Sequence, residues 1–301
     1  MNAARIRAAL HAVGASPVDS SRIEHIARGT YRVRDGSRIL ACKLFDGRQA
    51  GERARTEGGA YAALAARGAP VPRLLALDEA NAAIVREWVA GPTLAQALRG
   101  EAARPAWEQV SGAWDALLAA LDAWTDAMDP ARVRRAHSLR RSEVSEVAEA
   151  LIGSGLLQQE DPAWKAAAEE IRQLADIIGS AAVRTVPLDL NPGNVILGPS
   201  GITFVDLEAF GLDSAEWSLC KATMLPHDST SGRAGQALLA GQGDAPLPNT
   251  DSQFLAGALL LALADAAGLW RPEPAHPVGL TLVRRLCART TIVPHLAAAL
   301  V

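Results

Sequence analysis

Lysine is scarce in this chain. Lys43, Lys165 and Lys221 are the only lysines among 301 residues, and arginine supplies the rest of the 30 basic residues. A lysine in a chemically demanding position is therefore informative. Cysteine is scarce too: Cys42, Cys220 and Cys287 are odd in number and far apart. With no CxxC and no Cys/His pair at zinc-ligand spacing, a disulfide framework and a structural zinc site are excluded. Aromatic residues make up only 4% of the chain, which is dense in alanine. That composition favours helices packed closely through small side chains. No apolar run approaches the ~18 residues of a membrane span, the nearest being Phe254 to Ala264. The opening MNAARIRAALHAVGASPVDS lacks the apolar core of a secretory signal, so a reducing cytoplasm is the expected compartment. A net charge of −3 gives no electrostatic reason to expect nucleic acid or an anionic membrane as partner. There is no GxxxxGK[ST], which excludes a P-loop kinase. What remains, 49% hydrophobic with 21% charged residues, is an ordinary globular chain. Its length allows about three quarters of the unfolded surface to be buried.

The first ninety residues read as a small antiparallel sheet with one inserted helix. Ile23 to Ala27, Tyr31 to Arg34 and Arg38 to Phe45 are short β-rich segments. Arg28-Gly29 separates the first two, and Asp35-Gly36-Ser37, a strong hairpin signal, the last two. A helix is expected over Ala50 to Ala66, stopped by Gly68 with Pro70 and Pro72 beyond. Leu74 to Leu77 and Ala83 to Val89 flank the turn Asp78-Glu79-Ala80-Asn81 and form another hairpin. From Gly91 the pattern is helical. Trp107 to Met128 carries Trp107, Val110, Trp114, Leu117, Leu118, Leu121 and Trp124 at helical spacing, a core stripe. Further helices are expected over Ser142 to Ile152, Pro162 to Ile178, Phe254 to Ala267 and Leu280 to Thr290, and a mobile loop over Leu238 to Asp251. A hairpin interrupts them, Val195 to Leu197 and Ile202 to Val205 around Gly198-Pro199-Ser200-Gly201. The basic cluster from Arg132 to Arg141 has no interleaved aromatics, which favours a solvated face or a helix connection over a nucleic-acid patch.

The most informative stretch is Val186-Pro187-Leu188-Asp189-Leu190-Asn191-Pro192-Gly193-Asn194, followed by the hairpin and then Phe204-Val205-Asp206. The hairpin returns Asp206 to the neighbourhood of Asn194. A carboxylate and an amide meeting there make a half-site for Mg²⁺, completed by phosphate oxygens and water. Asp189, in the same loop, is placed to orient a hydroxyl and accept its proton. The competing interpretation is a tight turn built from Asp189, Asn191, Pro192 and Gly193, all turn formers.

Lys43 decides between them. Period two puts it on the strand face of Ile39, Ala41 and Phe45, an apolar surface where an ammonium is costly without a partner. Glu57 lies at helical spacing with Ala54, Tyr61 and Leu64 and so points inward from the following helix. A Lys43–Glu57 pair bridging strand and helix satisfies both charges.

These residues together resemble the aminoglycoside phosphotransferase and choline kinase group of the protein-kinase-like fold, over about Ile23 to Trp217. The resemblance implies an α+β, two-lobed protein: an N-terminal lobe over 1–89, antiparallel sheet plus one helix, and a mostly helical C-terminal lobe over 90–301. It implies a transferase that uses ATP or GTP with Mg²⁺ to phosphorylate a hydroxyl of a small molecule. Candidate acceptors are an aminoglycoside, nucleoside or peptide antibiotic, or a related metabolite. Lys43 and Glu57 then correspond to the strand lysine and helix glutamate that hold the nucleotide phosphates. Gly29 lies in the loop over the nucleotide. Ile84-Val85-Arg86-Glu87-Trp88-Val89-Ala90-Gly91 resembles the hinge, with backbone groups near Glu87 and Val89 for the base edge. Asp189 is then the catalytic residue, and Asn194 and Asp206 the metal ligands. Pro187-Leu188 stands where the group usually has His-Gly. No Ala-Pro-Glu follows Asp206, so a peptide-binding platform is missing and the acceptor is a small molecule. Glu208, Asp213, Glu216 and Asp228 are candidates for contacting a polycationic acceptor, although the final helices are acid-poor. A kinase-fold module that binds nucleotide without turnover is the alternative that Pro187-Leu188 leaves open.

Overall fold

A computed structural model describes residues 2–15, 19–27, 29–98, 101–102, 105, 107–124, 130–154, 163–188, 190–224, 252–267, 269 and 293–299. The expected loop over Leu238 to Asp251 and the expected helix over Leu280 to Thr290 lie outside the described residues, as do Asp189, Asp228 and Cys287.

The N-terminal part is built on a five-stranded antiparallel sheet in the order β1-β2-β3-β5-β4. Its strands are β1 (Ile23–Ala27), β2 (Thr30–Asp35), β3 (Arg38–Leu44), β4 (Leu74–Asp78) and β5 (Ala83–Glu87). The Asp35-Gly36 signal is the β2–β3 turn, with Gly36 at φ +59°. β3 sits in the middle, pairing Lys43 with Thr30 of β2 and with Ile84 of β5. Alternation then separates two faces. Leu40, Cys42, Leu44, Ala83 and Val85 form one, which packs on Ile6 and Leu10 of α1 (Asn2–His11). Ala41, Lys43, Ile84 and Arg86 form the other, turned to α2 (Ala50–Ala65). Helix α1 is an addition to the sheet and single helix read from the sequence; it covers what would otherwise be an open apolar face.

The helical part contains α3 (Leu94–Leu98), α4 (Trp107–Trp124), α5 (Pro130–Gly153), α6 (Ala163–Ser180), α7 (Ala215–Met224), α8 (Ser252–Ala266) and α9 (Pro294–Ala299). On α4 the expected stripe is buried at Val110, Trp114, Leu117, Leu118 and Leu121. Each such leucine is worth roughly 1.5–3 kcal/mol of apolar burial. Trp114 meets Phe204 edge-on at 6.1 Å, so α4 packs on the hairpin that follows the short turn at 192–194. That hairpin is β7 (Val195–Gly198) with β8 (Gly201–Phe204). A second short sheet pairs β6 (Arg184–Pro187) with β9 (Phe210–Asp213). Helix α5 begins at Pro130, twelve positions before the expected start at Ser142, and takes in the arginine cluster. Its inward line Ala136, Arg140, Val144, Ala148, Leu151 contains an arginine, which hides the apolar period from a sequence reading. Among the described residues no helix is long and apolar enough to cross a membrane.

Candidate active site

Backbone contacts fix the chain around Lys43. The segment after β5 docks on the β7–β8 hairpin: Leu197 N–H donates to Pro92 O at 2.8 Å and Thr93 bridges Ile196. Gly91 makes that approach possible, because a Cβ there would lie 2.2 Å from Leu197 O, at φ +142°. Phe204 N–H donates to Pro70 O at 2.8 Å, tying β8 to the turn after α2.

The hairpin returns the chain as its sequence implies. Val205 N–H donates to Asn194 O at 2.9 Å, so Asp206 follows directly beside Asn194. Asp206 itself adopts φ +66°, a left-handed conformation that aspartate tolerates better than most residues. Its N–H donates to the Tyr61 hydroxyl at 2.9 Å, which fixes this unusual backbone from the side of α2. The conformation turns the Asp206 carboxylate onto Lys43.

Lys43 Nζ donates to Glu57 Oε2 at 2.6 Å and to Asp206 Oδ1, a residue 163 positions away, and Glu208 Oε2 lies 3.8 Å off. The ammonium also sits 4.9 Å from the centre of the Phe45 ring. Burial acts to lower the Lys43 pKa, but Glu57 and Asp206 outweigh it, and the net shift is upward. Lys43 therefore stays charged. Glu57 is fully buried, and burial pushes its carboxyl up while Lys43 pulls it partly back. Glu208 is held by Arg53 of α2 at 2.6 Å, and Arg53 in turn lies over the same Phe45 ring at 5.5 Å.

Glu57, Asp206 and Glu208 bring oxygen atoms within 4.8 Å of one another. The donors are carboxylate oxygens, without histidine or cysteine, and suit a hard cation such as Mg²⁺. Glu57 and Asp206 are both bonded to Lys43, Glu57 fully buried and Asp206 partly exposed.

The other residues singled out from the sequence fall as follows. Gly29 has φ +71°, and a Cβ on it would lie 2.5 Å from Leu44 O. Its own carbonyl accepts the Leu44 N–H at 2.8 Å. The β1–β2 turn is therefore laid against the end of β3, one residue past Lys43. Glu87 ends β5, with its side chain paired to Arg73 at 2.8 Å on the outside. Val89 lies against the hairpin near Gly198. The loop that carries Asp189 starts at Leu188, whose N–H donates to Ala209 O at 3.1 Å, and is braced by Asn191 Oδ1 accepting the Gly193 N–H at 2.8 Å. Asp213 is buried and bonded to Lys221 at 3.1 Å and to the Ser214 N–H at 2.8 Å. Glu216 accepts from Ser214 Oγ at 3.0 Å. Glu208 belongs with the Lys43 cluster and is separate from these two. Sequence reasoning missed Tyr61 and Arg53 as parts of the site. Both lie one helical turn from Glu57, and that i±4 spacing was the available signal.

A five-stranded antiparallel sheet with a buried lysine–glutamate pair, facing a helical lobe across a carboxylate cluster, is the arrangement of the protein-kinase-like fold. The chain belongs to the phosphotransferase enzyme family, whose model matches residues 21–253. No curated protein matches it by sequence. Among solved structures it is similar to the macrolide 2'-phosphotransferase MphH from Brachybacterium faecium. That likeness has 15% identity, covers 94% of this chain and 97% of that one, and has a TM-score of 0.50. It is also similar to a choline/ethanolamine kinase family protein from Mesorhizobium loti (15% identity, 100% and 99% coverage, TM-score 0.49). The choline kinase LicA from Streptococcus pneumoniae matches with 14% identity, 92% coverage of both chains and a TM-score of 0.44. At these identities the likeness bears on the fold alone.

Proposed function

We propose that the chain transfers the γ-phosphoryl group of ATP or GTP, with Mg²⁺, to a hydroxyl of a small molecule. The site lies between a lobe of residues 1–89 and a lobe of residues 90–301. The observation that supports this reading best is the meeting of Lys43, Glu57 and Asp206, three residues from a strand, a helix and a distant loop.

In this reading Lys43 neutralises charge on the nucleotide phosphates and Glu57 holds its ammonium in place. The loop of Gly29 covers the phosphates, and backbone groups near Glu87 and Val89 receive the base. Asn194 and Asp206 would hold Mg²⁺, which when bound offsets the charge of the phosphate oxygens. Asp189 orients the acceptor hydroxyl and takes its proton. The acceptor oxygen bonds to the γ-phosphorus as the bond from that phosphorus to the bridging oxygen breaks, and the nucleoside diphosphate leaves with the electron pair. Positioning and charge stabilisation supply most of the acceleration in such a transfer.

The test is calorimetric binding of ATP and GTP with and without Mg²⁺, followed by turnover across a panel of alcohols. Mg²⁺-dependent binding with transfer supports the proposal. Equal affinity with and without Mg²⁺ counts against Asn194 and Asp206 as ligands. Tight binding with no transfer to any acceptor assigns the chain to a nucleotide-binding module instead.

A further inference from the structure

Arg86 is a buried cation without a counter-ion. It stands on β5, cross-strand from Ala41 of β3, on the sheet face that also carries Lys43 and Ile84. Only 6% of it is exposed, and no carboxylate among the described residues forms an ion pair with it. Its neighbours are the face of the Tyr61 ring, 5.6 Å from the guanidinium carbon, and Glu57, which feels its charge but is bonded to Lys43. A buried guanidinium normally spends its five donors and pairs its charge, because an unpaired interior charge is costly. An apolar side chain at this position would carry no such cost. The arginine therefore points to a partner that arrives with a ligand.

The three guanidinium nitrogens differ. Nε is sealed off and unbonded. Nη1 donates to the carbonyl oxygen of Glu87 at 3.4 Å, a long bond. Nη2 has no partner and, unlike Nε, is not closed off from solvent. Glu87 is the residue whose backbone, with that of Val89, is proposed above to receive the base. A free Glu87 carbonyl would accept an exocyclic amino group such as that of adenine. Here Nη1 faces that carbonyl and the unbonded Nη2 stands with it, so this edge presents N–H donors. The complementary base carries acceptors at the same place. Guanine does so with O6 and N7, whereas adenine sets an amino group beside its N7.

We infer that Arg86 selects the nucleobase and that the phosphoryl donor is GTP, with Arg86 Nη2 donating to the 6-oxo group of the purine. This rests on the phosphotransferase reading above and narrows its donor from ATP or GTP to a 6-oxo purine nucleotide. The 6-oxygen supplies the acceptor that the guanidinium lacks. An adenine amino group would instead set donor against donor and leave both unbonded out of water, which is how a site rejects the wrong base.

The test uses the full chain with Mg²⁺ and compares GTP, ITP and ATP by calorimetry in the parent, Arg86→Met and Arg86→Lys. ITP shares the 6-oxo group of guanine and lacks its 2-amino group. The parent should bind GTP and ITP about tenfold or more tightly than ATP, the scale of discrimination that an arginine–guanine contact provides. Arg86→Met should remove the preference, with a Tm at or above the parent's, because a buried charge without a counter-ion has gone. An arginine with a structural role alone would give a lower Tm and an unchanged ratio of GTP to ATP affinity. Arg86→Lys keeps the charge but not the planar fork and should retain part of the preference. Equal affinity of the parent for GTP and ATP, tighter binding of ATP, ITP bound no better than ATP, or a preference that survives in Arg86→Met overturns the inference. If Arg86→Met does not fold, the three affinities of the parent still decide. Mg²⁺-dependent ATP binding with transfer leaves the phosphotransferase reading standing while this inference falls; binding of none of the three removes both.

Discussion

Replacing Lys43 by methionine removes the one cation that Glu57, Asp206 and Glu208 share. Methionine keeps the length of the side chain and fits the apolar face of β3, so packing is nearly conserved and the change is electrostatic. The side chains of Lys43 and Glu57 are 9% and 0% exposed, so the Glu57 carboxylate is left buried without its partner. Breaking a buried pair from one side typically costs about 3–5 kcal/mol. Asp206 and Glu208 are 42% and 23% exposed and can turn to water or to Arg53, so we take the lower half of that range, about 3 kcal/mol. For a 301-residue chain, whose unfolding entropy is about 2.1 cal/mol/K per residue, that is a fall in Tm of about 5 °C. The sign with pH follows from burial. Glu57 already has a raised pKa, and without Lys43 it rises further, so the penalty is present when Glu57 is ionised and fades as pH falls through its folded value. Denaturant unfolding of the parent, Lys43→Met, Glu57→Gln and the double variant at pH 7.5 and pH 5 measures all of this. The double variant should recover much of the loss, since both partners are then uncharged. A cost below about 1 kcal/mol for Lys43→Met, or a double variant no better than the single, would refute the reasoning.

Gly91→Ala should destabilise by about 2–4 kcal/mol, because its Cβ meets the Leu197 carbonyl and its φ suits glycine alone; thermal melts that match the parent would disprove the tight docking of this segment on the hairpin. Cys42 is buried, and burial pushes its thiol up to about 12, with Arg5 opposing and Asp78 adding. It should resist alkylation at pH 8 in the folded protein and react on unfolding, as read by peptide mass; with a raised folded pKa its contribution to stability holds below pH 9 and is lost as pH climbs toward 12.

The parts of the fold that were legible from sequence are those where one physical signal dominates. Asp35-Gly36 announced a hairpin, and Lys43 on an apolar strand face demanded a carboxylate that Glu57 supplies at 2.6 Å. The return of Asp206 to Asn194 followed from two short strands joined by a four-residue turn. The parts that were not legible have mixed signals. Helix α5 hides its first three turns because Arg140 occupies an inward position, where a sequence reading expects an apolar residue. Helix α1 is short and half polar, and its place is set by the far face of the sheet, which no local pattern reveals. The β6–β9 pair is only four residues long and ends in Pro187. The left-handed backbone of Asp206 and its brace from Tyr61 depend on a contact across 145 positions, beyond any periodicity.

In the proposed mechanism Asp189 accepts the proton of the acceptor hydroxyl while Lys43 and Asp206 manage the phosphates. Single-turnover phosphoryl transfer by Asp189→Asn, measured beside nucleotide affinity and Tm, tests it most directly. Asparagine keeps the shape and the turn hydrogen bonding but removes the base, whose contribution is about 10²–10⁴-fold in rate. The expected result is a rate fall in that range with nucleotide affinity and Tm close to the parent's. A variant that transfers at the parent's rate, or one that loses Tm and affinity in step with activity, would contradict it and leave Asp189 as a turn residue.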